Sequence, residues 1–273
     1  MKETKVYILD GGSLVIDGFH MFWNRGPAGD TRIPCYSVLI DHPEGNFIFD
    51  TGFDYNHVMR VLPFEKPIQG KDQTIEGALS LVGLKPEAID YVINSHFHFD
   101  HCGGNRHMIN AVSICHALEY EACLHYKPFE KLGYSDLSFA SQFTRQNGNR
   151  GVQQVQSSNS LADSSETRFK KVSGDVEVAK GLTLLETPGH TAGHYSLFVE
   201  LQDRRPMLFT ADAVYSQQGL DFSCISSFHL DPVAAYRSME RIKGIAEQND
   251  TDVFFGHDPE SFPKYKKAPE YYA

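Results

Sequence analysis

The chain has 273 residues, 41% of them hydrophobic and 22% charged, a balance ordinary for a soluble globular protein. Its net charge of −10 comes without a basic run, which argues against a nucleic-acid partner, because phosphate binding needs clustered Lys and Arg. No apolar stretch has the character of a signal peptide or membrane span, so a cytoplasmic protein with no membrane partner is expected.

In chain order, residues 5–16 alternate around Gly11-Gly12 and read as strand, turn, strand. Residues 35–41 and 46–50 flank His42-Pro43-Glu44-Gly45, a turn signal, and predict a hairpin. Ile75, Ala78, Leu79 and Val82 fall at helical spacing within 74–84. The short apolar run 90–94 predicts a buried strand. Residues 112–116 read as another strand and 117–126 as a helix. From 141 to 168, Gln, Asn, Ser and Gly dominate, a composition that suits equally a lid over a site or a solvated excursion. Strand-like runs return at 176–178, 182–186, 195–201 and 207–210. Residues 231–247 predict a helix opened by Asp231 as N-cap and Pro232 at the first helical position. Residues 252–255 form a final strand. Each half thus holds several strands and then a helix. That order suggests two sheet-plus-helix layers packed sheet on sheet, in a single domain over 1–273.

The strand at 90–94 delivers Asn94-Ser95-His96-Phe97-His98-Phe99-Asp100-His101-Cys102-Gly103-Gly104, the densest chemistry in the chain. On extended backbone His96 and His98 share a face. A turn after Phe99 sends Asp100 and His101 to a second point. One segment can therefore supply halves of two metal sites about 3.5–4 Å apart, the usual separation in two-metal hydrolytic centres. Gly103 and Gly104 are expected to let the backbone bend sharply afterwards.

Three later apolar runs each end in a donor beside small residues. They carry His190 after Thr187-Pro188-Gly189, Asp212 after Thr210-Ala211, and His257 after Gly256. The metal set is then His96, His98, Asp100, His101, His190, Asp212 and His257. Imidazole and carboxylate together suit zinc first, with iron, manganese or cobalt as alternatives. The five cysteines show no paired spacing and argue against a disulfide framework. Cys102, beside the motif, reads as a small packed residue in preference to a soft ligand.

The spacing of these seven donors resembles the metallo-β-lactamase superfamily, as do Thr187-Pro188-Gly189-His190-Thr191 and Phe255-Gly256-His257-Asp258. The resemblance spans essentially the whole chain. It implies an α/β fold, a four-layer αββα sandwich with the metals at one edge. It further implies two Zn2+ per chain, one on His96, His98 and His190, the other on Asp100, His101 and His257, with Asp212 bridging. Asp50, Ser95 and Thr51 are candidates to fix the ligand tautomers, Asp50 foremost by the resemblance.

Tyr215, three residues after Asp212, resembles the phenol that faces the substrate carbonyl in the acyl-homoserine lactonase branch. The implied reaction is hydrolysis of a small-molecule lactone by a monomer or homodimer. Asp100, Asp212 and Tyr215 would be its catalytic residues. Segments 22–27, 61–68, 132–139 and 228–232 resemble more narrowly the 4-pyridoxolactonases, which open an aromatic-fused lactone. They nominate Trp23, Arg25, Tyr134 and His229 as substrate contacts. N-acyl-homoserine lactonases, thioester hydrolases of glyoxalase II type, β-lactamases and a non-catalytic zinc-stabilised module are the competing readings. Structural zinc sites are closed and often Cys-rich, unlike this donor set.

Overall fold

Alternation along the strands sets the architecture. In a computed structural model, which describes residues 3–134 and 168–273, eleven strands form two sheets. The first sheet runs in order β1 (Lys5–Asp17), β2 (Asp30–His42), β3 (Gly45–Phe49), β4 (Tyr91–Ile93), β5 (Val112–His116) and β6 (Phe169–Val172). The second runs β11 (Asp252–Phe254), β10 (Met207–Phe209), β9 (Tyr195–Val199), β8 (Leu182–Glu186) and β7 (Val176–Ala179). The polar segment expected at 141–168 lies outside the described residues, save for Arg168.

Successive residues of a strand face opposite ways. Val38, Ile40, Phe47, Phe49 and Ile93 meet Leu184, Leu197, Met207 and Phe209 in the core between the sheets. Their neighbours Leu39, Ile48 and Val92 point outward and pack on Ile75, Ala78 and Leu79 of the helix Ile75–Ser80. On the far side, Leu185 and Leu208 pack on Ala235, Met239 and Ile242 of the helix Pro232–Gln248. The layers are therefore helix, sheet, sheet, helix. That last helix begins as expected: the Asp231 side chain accepts from Val233 N and Ala234 N at 2.9 and 3.0 Å, and Pro232 follows. Among the described residues, no helix is long and apolar enough to cross a membrane.

Two expectations need correction. Residues 5–16 do not turn at Gly11-Gly12. They belong to one long strand, β1, whose register against β2 shifts between Asp10 and Ser13. Gly12 absorbs that bulge with φ +94°, and a Cβ there would stand 2.3 Å from the Ile68 carbonyl oxygen. Gly103 and Gly104 do not supply a sharp bend either. Their φ values, −59° and −91°, are open to any residue. Close approach is what requires glycine: a Cβ would lie 2.5 Å from Asp54 N at Gly103 and 2.7 Å from Thr51 O at Gly104.

Candidate metal centre

The ends of both sheets converge at one edge. β4 leads into His96 and His98, and the short helix Phe99–Cys102 that follows carries Asp100 and His101. β8, β10 and β11 end just before His190, Asp212 and His257. All seven donors expected from the sequence are brought together. His190 Nε2 lies 3.2 Å from His96 Nε2 and 3.0 Å from His98 Nδ1, forming one cluster. His101 and His257 form another, each with Nε2 3.6 Å from Asp100 Oδ2. Asp212 stands between them. Its Oδ2 is 3.2 Å from His190 Nε2, while its Oδ1 is 2.9 Å from His101 Nε2 and 3.1 Å from His257 Nε2.

Partners behind the rings fix which nitrogen faces inward. His101 Nδ1 meets Asp50 Oδ2 at 2.8 Å, His190 Nδ1 meets the Phe228 carbonyl at 2.6 Å, and His257 Nδ1 meets the Pro34 carbonyl at 2.9 Å. Carboxylate and carbonyl oxygens only accept, so each Nδ1 carries a proton and each ring turns its Nε2 to the centre. His101 Nε2 and Asp212 Oδ1 are buried and face each other and the other donors of the centre. Lone pairs and carboxylates aimed at one water-poor space call for cations. These donors fit a pair of metal ions, and three groups of donor atoms, each within 4.8 Å of one another and two of them sharing His96, mark where ions could sit.

The electrostatics differ between the clusters. Burial pushes His96, His98 and His190 below the usual histidine range, and neighbouring imidazoles reinforce the shift for the first two. Burial also acts against the charged form of His101 and His257. There it is outweighed, chiefly by the Asp212 carboxylate, and both rings are held well above the usual range. Burial would raise Asp212, but His101, His257 and His190 hold it well below the carboxylate range. The Asp100 side of the centre thus attracts positive charge most strongly.

Backbone strain sits beside the site. Asp50 (φ 59°) and Ala211 (φ 43°) occupy the left-handed region just after β3 and β10. Asp50 also accepts from the Ser95 amide and hydroxyl, both at 2.7 Å, and Ser95 Oγ lies 2.9 Å from His96 Nδ1. Thr51 behaves differently from expectation. Its hydroxyl donates to Asn105 Oδ1 at 2.8 Å, and it touches no donor ring.

Tyr215 is buried with its ring 4.9 Å from that of His257 and 6.3 Å from that of His190. Burial, then the charges of Asp212 and Asp100, push its phenol well above the usual tyrosine range, so it stays a donor. Trp23 and Arg25 are exposed and line a pocket of about 500 Å³ whose walls include none of the seven donors. Trp23 meets His229 edge-on at 4.9 Å. Tyr134 is spent internally: its hydroxyl donates to Glu119 at 3.2 Å and its ring buttresses His98 at 5.1 Å.

Two residues around the centre escaped the sequence reading. Glu119, fully buried, accepts from Phe97 N at 3.0 Å and Gly193 N at 3.3 Å, joining the two histidine-bearing loops. Burial raises its carboxyl, and these donors oppose that. His194 accepts from Asp212 N at 3.1 Å and meets Thr187 Oγ1 at 2.9 Å; burial, then the His190 charge, pull it down to about 3. Its repeat of the preceding Gly-His pair, Gly189-His190 and Gly193-His194, was the available signal.

A two-sheet sandwich with such a donor cluster at one edge defines a class of metal-dependent hydrolases. The chain belongs to the metallo-β-lactamase superfamily, whose family model matches residues 30–257. Among its relatives is the N-acyl homoserine lactonase AttM of Rhizobium radiobacter, 30% identical over 280 aligned positions covering all of both chains. The N-acyl homoserine lactonase AiiA of Bacillus thuringiensis subsp. kurstaki is 28% identical over 279 positions, 99% of this chain and all of the relative. A solved N-acyl homoserine lactone hydrolase, with the product N-hexanoyl-L-homoserine at its catalytic metal centre, matches with a TM-score of 0.81 at 28% identity over the whole of both chains.

Proposed function

We propose that the protein is a two-zinc lactone hydrolase that opens 4-pyridoxolactone to 4-pyridoxic acid. The observation that carries hydrolysis is the split of Asp212, with one oxygen toward His190 and the other toward His101 and His257. A carboxylate so placed could be shared by two ions, which His96, His98 and His190 would hold on one side and Asp100, His101 and His257 on the other. Bound zinc supplies Lewis acidity and lowers the pKa of water from 15.7 toward ~7.

The chain's own residues do the rest. Water oxygen adds to the lactone carbonyl carbon while the Tyr215 phenol, kept protonated by burial, donates to the developing oxyanion. The ring C–O bond then breaks. Asp100 hands the departing alkoxide one proton taken from water, giving the alcohol, and the new carboxylic acid loses the second proton to solvent.

Support for a flat aromatic lactone comes from the surface around Trp23. Trp23 and His229 offer aromatic faces, and Arg25 beside them offers a cation to a ring substituent. The segments bearing Trp23, Arg25 and His229 are among those resembling the 4-pyridoxolactonases. The second reading is an N-acyl-homoserine lactonase, favoured by the names of the relatives above. The test compares kcat/KM for 4-pyridoxolactone, a short and a long acyl-homoserine lactone on one zinc-loaded preparation. A tenfold or greater advantage for the long-chain homoserine lactone would overturn the first reading in favour of the second.

A further inference from the structure

Cys35 stands in the Asp100 half of the centre, where the donor pattern gave no reason to look. It lies on β2, directly after Pro34, whose carbonyl holds His257 Nδ1. Its sulfur, an Asp100 carboxylate oxygen and a His257 ring nitrogen all fall within 4.8 Å of one another. Cys35 is 2% exposed and shares a small cavity with Asp50, Asp100, His101 and His257. Independently, the buried Asp212 Oδ1 lies 3.1 Å from His257 Nε2, so the same ring that neighbours Cys35 already faces a second anionic donor.

We propose that Cys35 is a thiolate ligand of the metal position formed by Asp100 and His257. The inference rests on the two-ion reading above. Metal–sulfur and metal–nitrogen bonds of about 2.3 and 2.0–2.1 Å put two donors of one ion up to about 4.4 Å apart, the scale of this cluster. On binding, the thiol S–H bond breaks, a metal–sulfur bond forms and one proton leaves to solvent. A sulfur donor would bias this position toward thiophilic ions such as zinc, cobalt and cadmium over magnesium or manganese. Cys102 is built differently. Its sulfur is turned to the Phe97 carbonyl at 3.4 Å.

Cobalt(II) titration of the metal-free full chain tests this without an activity assay. Visible ligand-field bands report nitrogen and oxygen ligation, while a near-ultraviolet charge-transfer band reports sulfur. The expected result is both in the unaltered protein and in Cys102→Ser, with only the near-ultraviolet band lost in Cys35→Ser and Cys35→Val. Cadmium affinity at the position formed by Asp100 and His257 should fall tenfold or more in both Cys35 variants. Visible bands without a sulfur band in the unaltered protein would overturn the thiolate ligand and leave the two-ion centre standing. Persistence of the sulfur band in both Cys35 variants would overturn it equally. Failure to bind cobalt at all would overturn both.

Discussion

Asp50 Oδ2 lies 2.8 Å from His101 Nδ1, and both residues are almost fully buried. The carboxylate reaches this ring across the sheet from the end of β3, and its other oxygen takes the Ser95 amide at 2.7 Å. One acid therefore sets the tautomer of one candidate ligand and anchors the strand end that delivers two others. Asp50→Asn keeps the shape and removes the charge. Loss of such a partner behind a ligand typically costs 10–100-fold in metal affinity or activity. Competition with a chelator of known affinity should show a fall of about that size; unchanged affinity would make Asp50 a purely structural acid.

Asp212→Ala removes a carboxylate facing both clusters. Elemental analysis of the dialysed variant should fall from two ions per chain to one or none, with activity lost in parallel. Two firmly held ions in the variant would remove Asp212 from the bridge.

Tyr215→Phe deletes a hydroxyl and leaves the ring against His257. Metal content should hold while kcat falls. A hydrogen bond to a charged group is worth about 1.5–3 kcal/mol, so the loss should be roughly 10–150-fold. Unaltered kcat would assign the phenol to packing.

Gly189→Ala tests the turn before His190. Gly189 has φ +133°, and a Cβ would stand 2.1 Å from Ala235 N at the start of the helix Pro232–Gln248. Overpacking of this kind costs about 1–3 kcal/mol, with strain of the positive φ added. Urea unfolding of the metal-free variant should show a lowered midpoint, and a wild-type midpoint would show that the turn can relax.

The layer order and the meeting of the seven donors were legible in the sequence for a common reason. Strands one residue from a core must alternate, and a donor placed just after an apolar run must emerge at a sheet edge. Val38-Leu39-Ile40 and Met207-Leu208-Phe209, apolar at every position, mark strands covered on both faces, by the other sheet and by a helix. Glu119 and Cys35 carried none. A Glu on a short helix reads as a solvated charge and a Cys in a strand as packing, and only the tertiary fold brings either to the centre. Tyr134 failed in the opposite sense. A loop aromatic suits a substrate wall, but its hydroxyl had a buried carboxylate to satisfy and its ring a histidine to support. Gly103-Gly104 misled because glycine signals both freedom and close approach, and sequence does not separate the two.

The loop from Ser226 to Asp231 supports two tasks with one backbone. Its His229 faces Trp23, while its Phe228 carbonyl holds His190 and its Leu230 and Asp231 amides donate to the Gly189 carbonyl at 2.8 and 3.0 Å. Selection for a new lactone cannot freely lengthen or reshape this loop, because the same shift would turn a candidate ligand ring. Divergence in substrate choice should therefore accumulate as side-chain exchanges here. Insertions and deletions should concentrate in segments that carry no contact to the donor rings. An engineered library that randomises side chains at 227 and 229 while fixing loop length should retain far more metal-loaded members than one that varies the length.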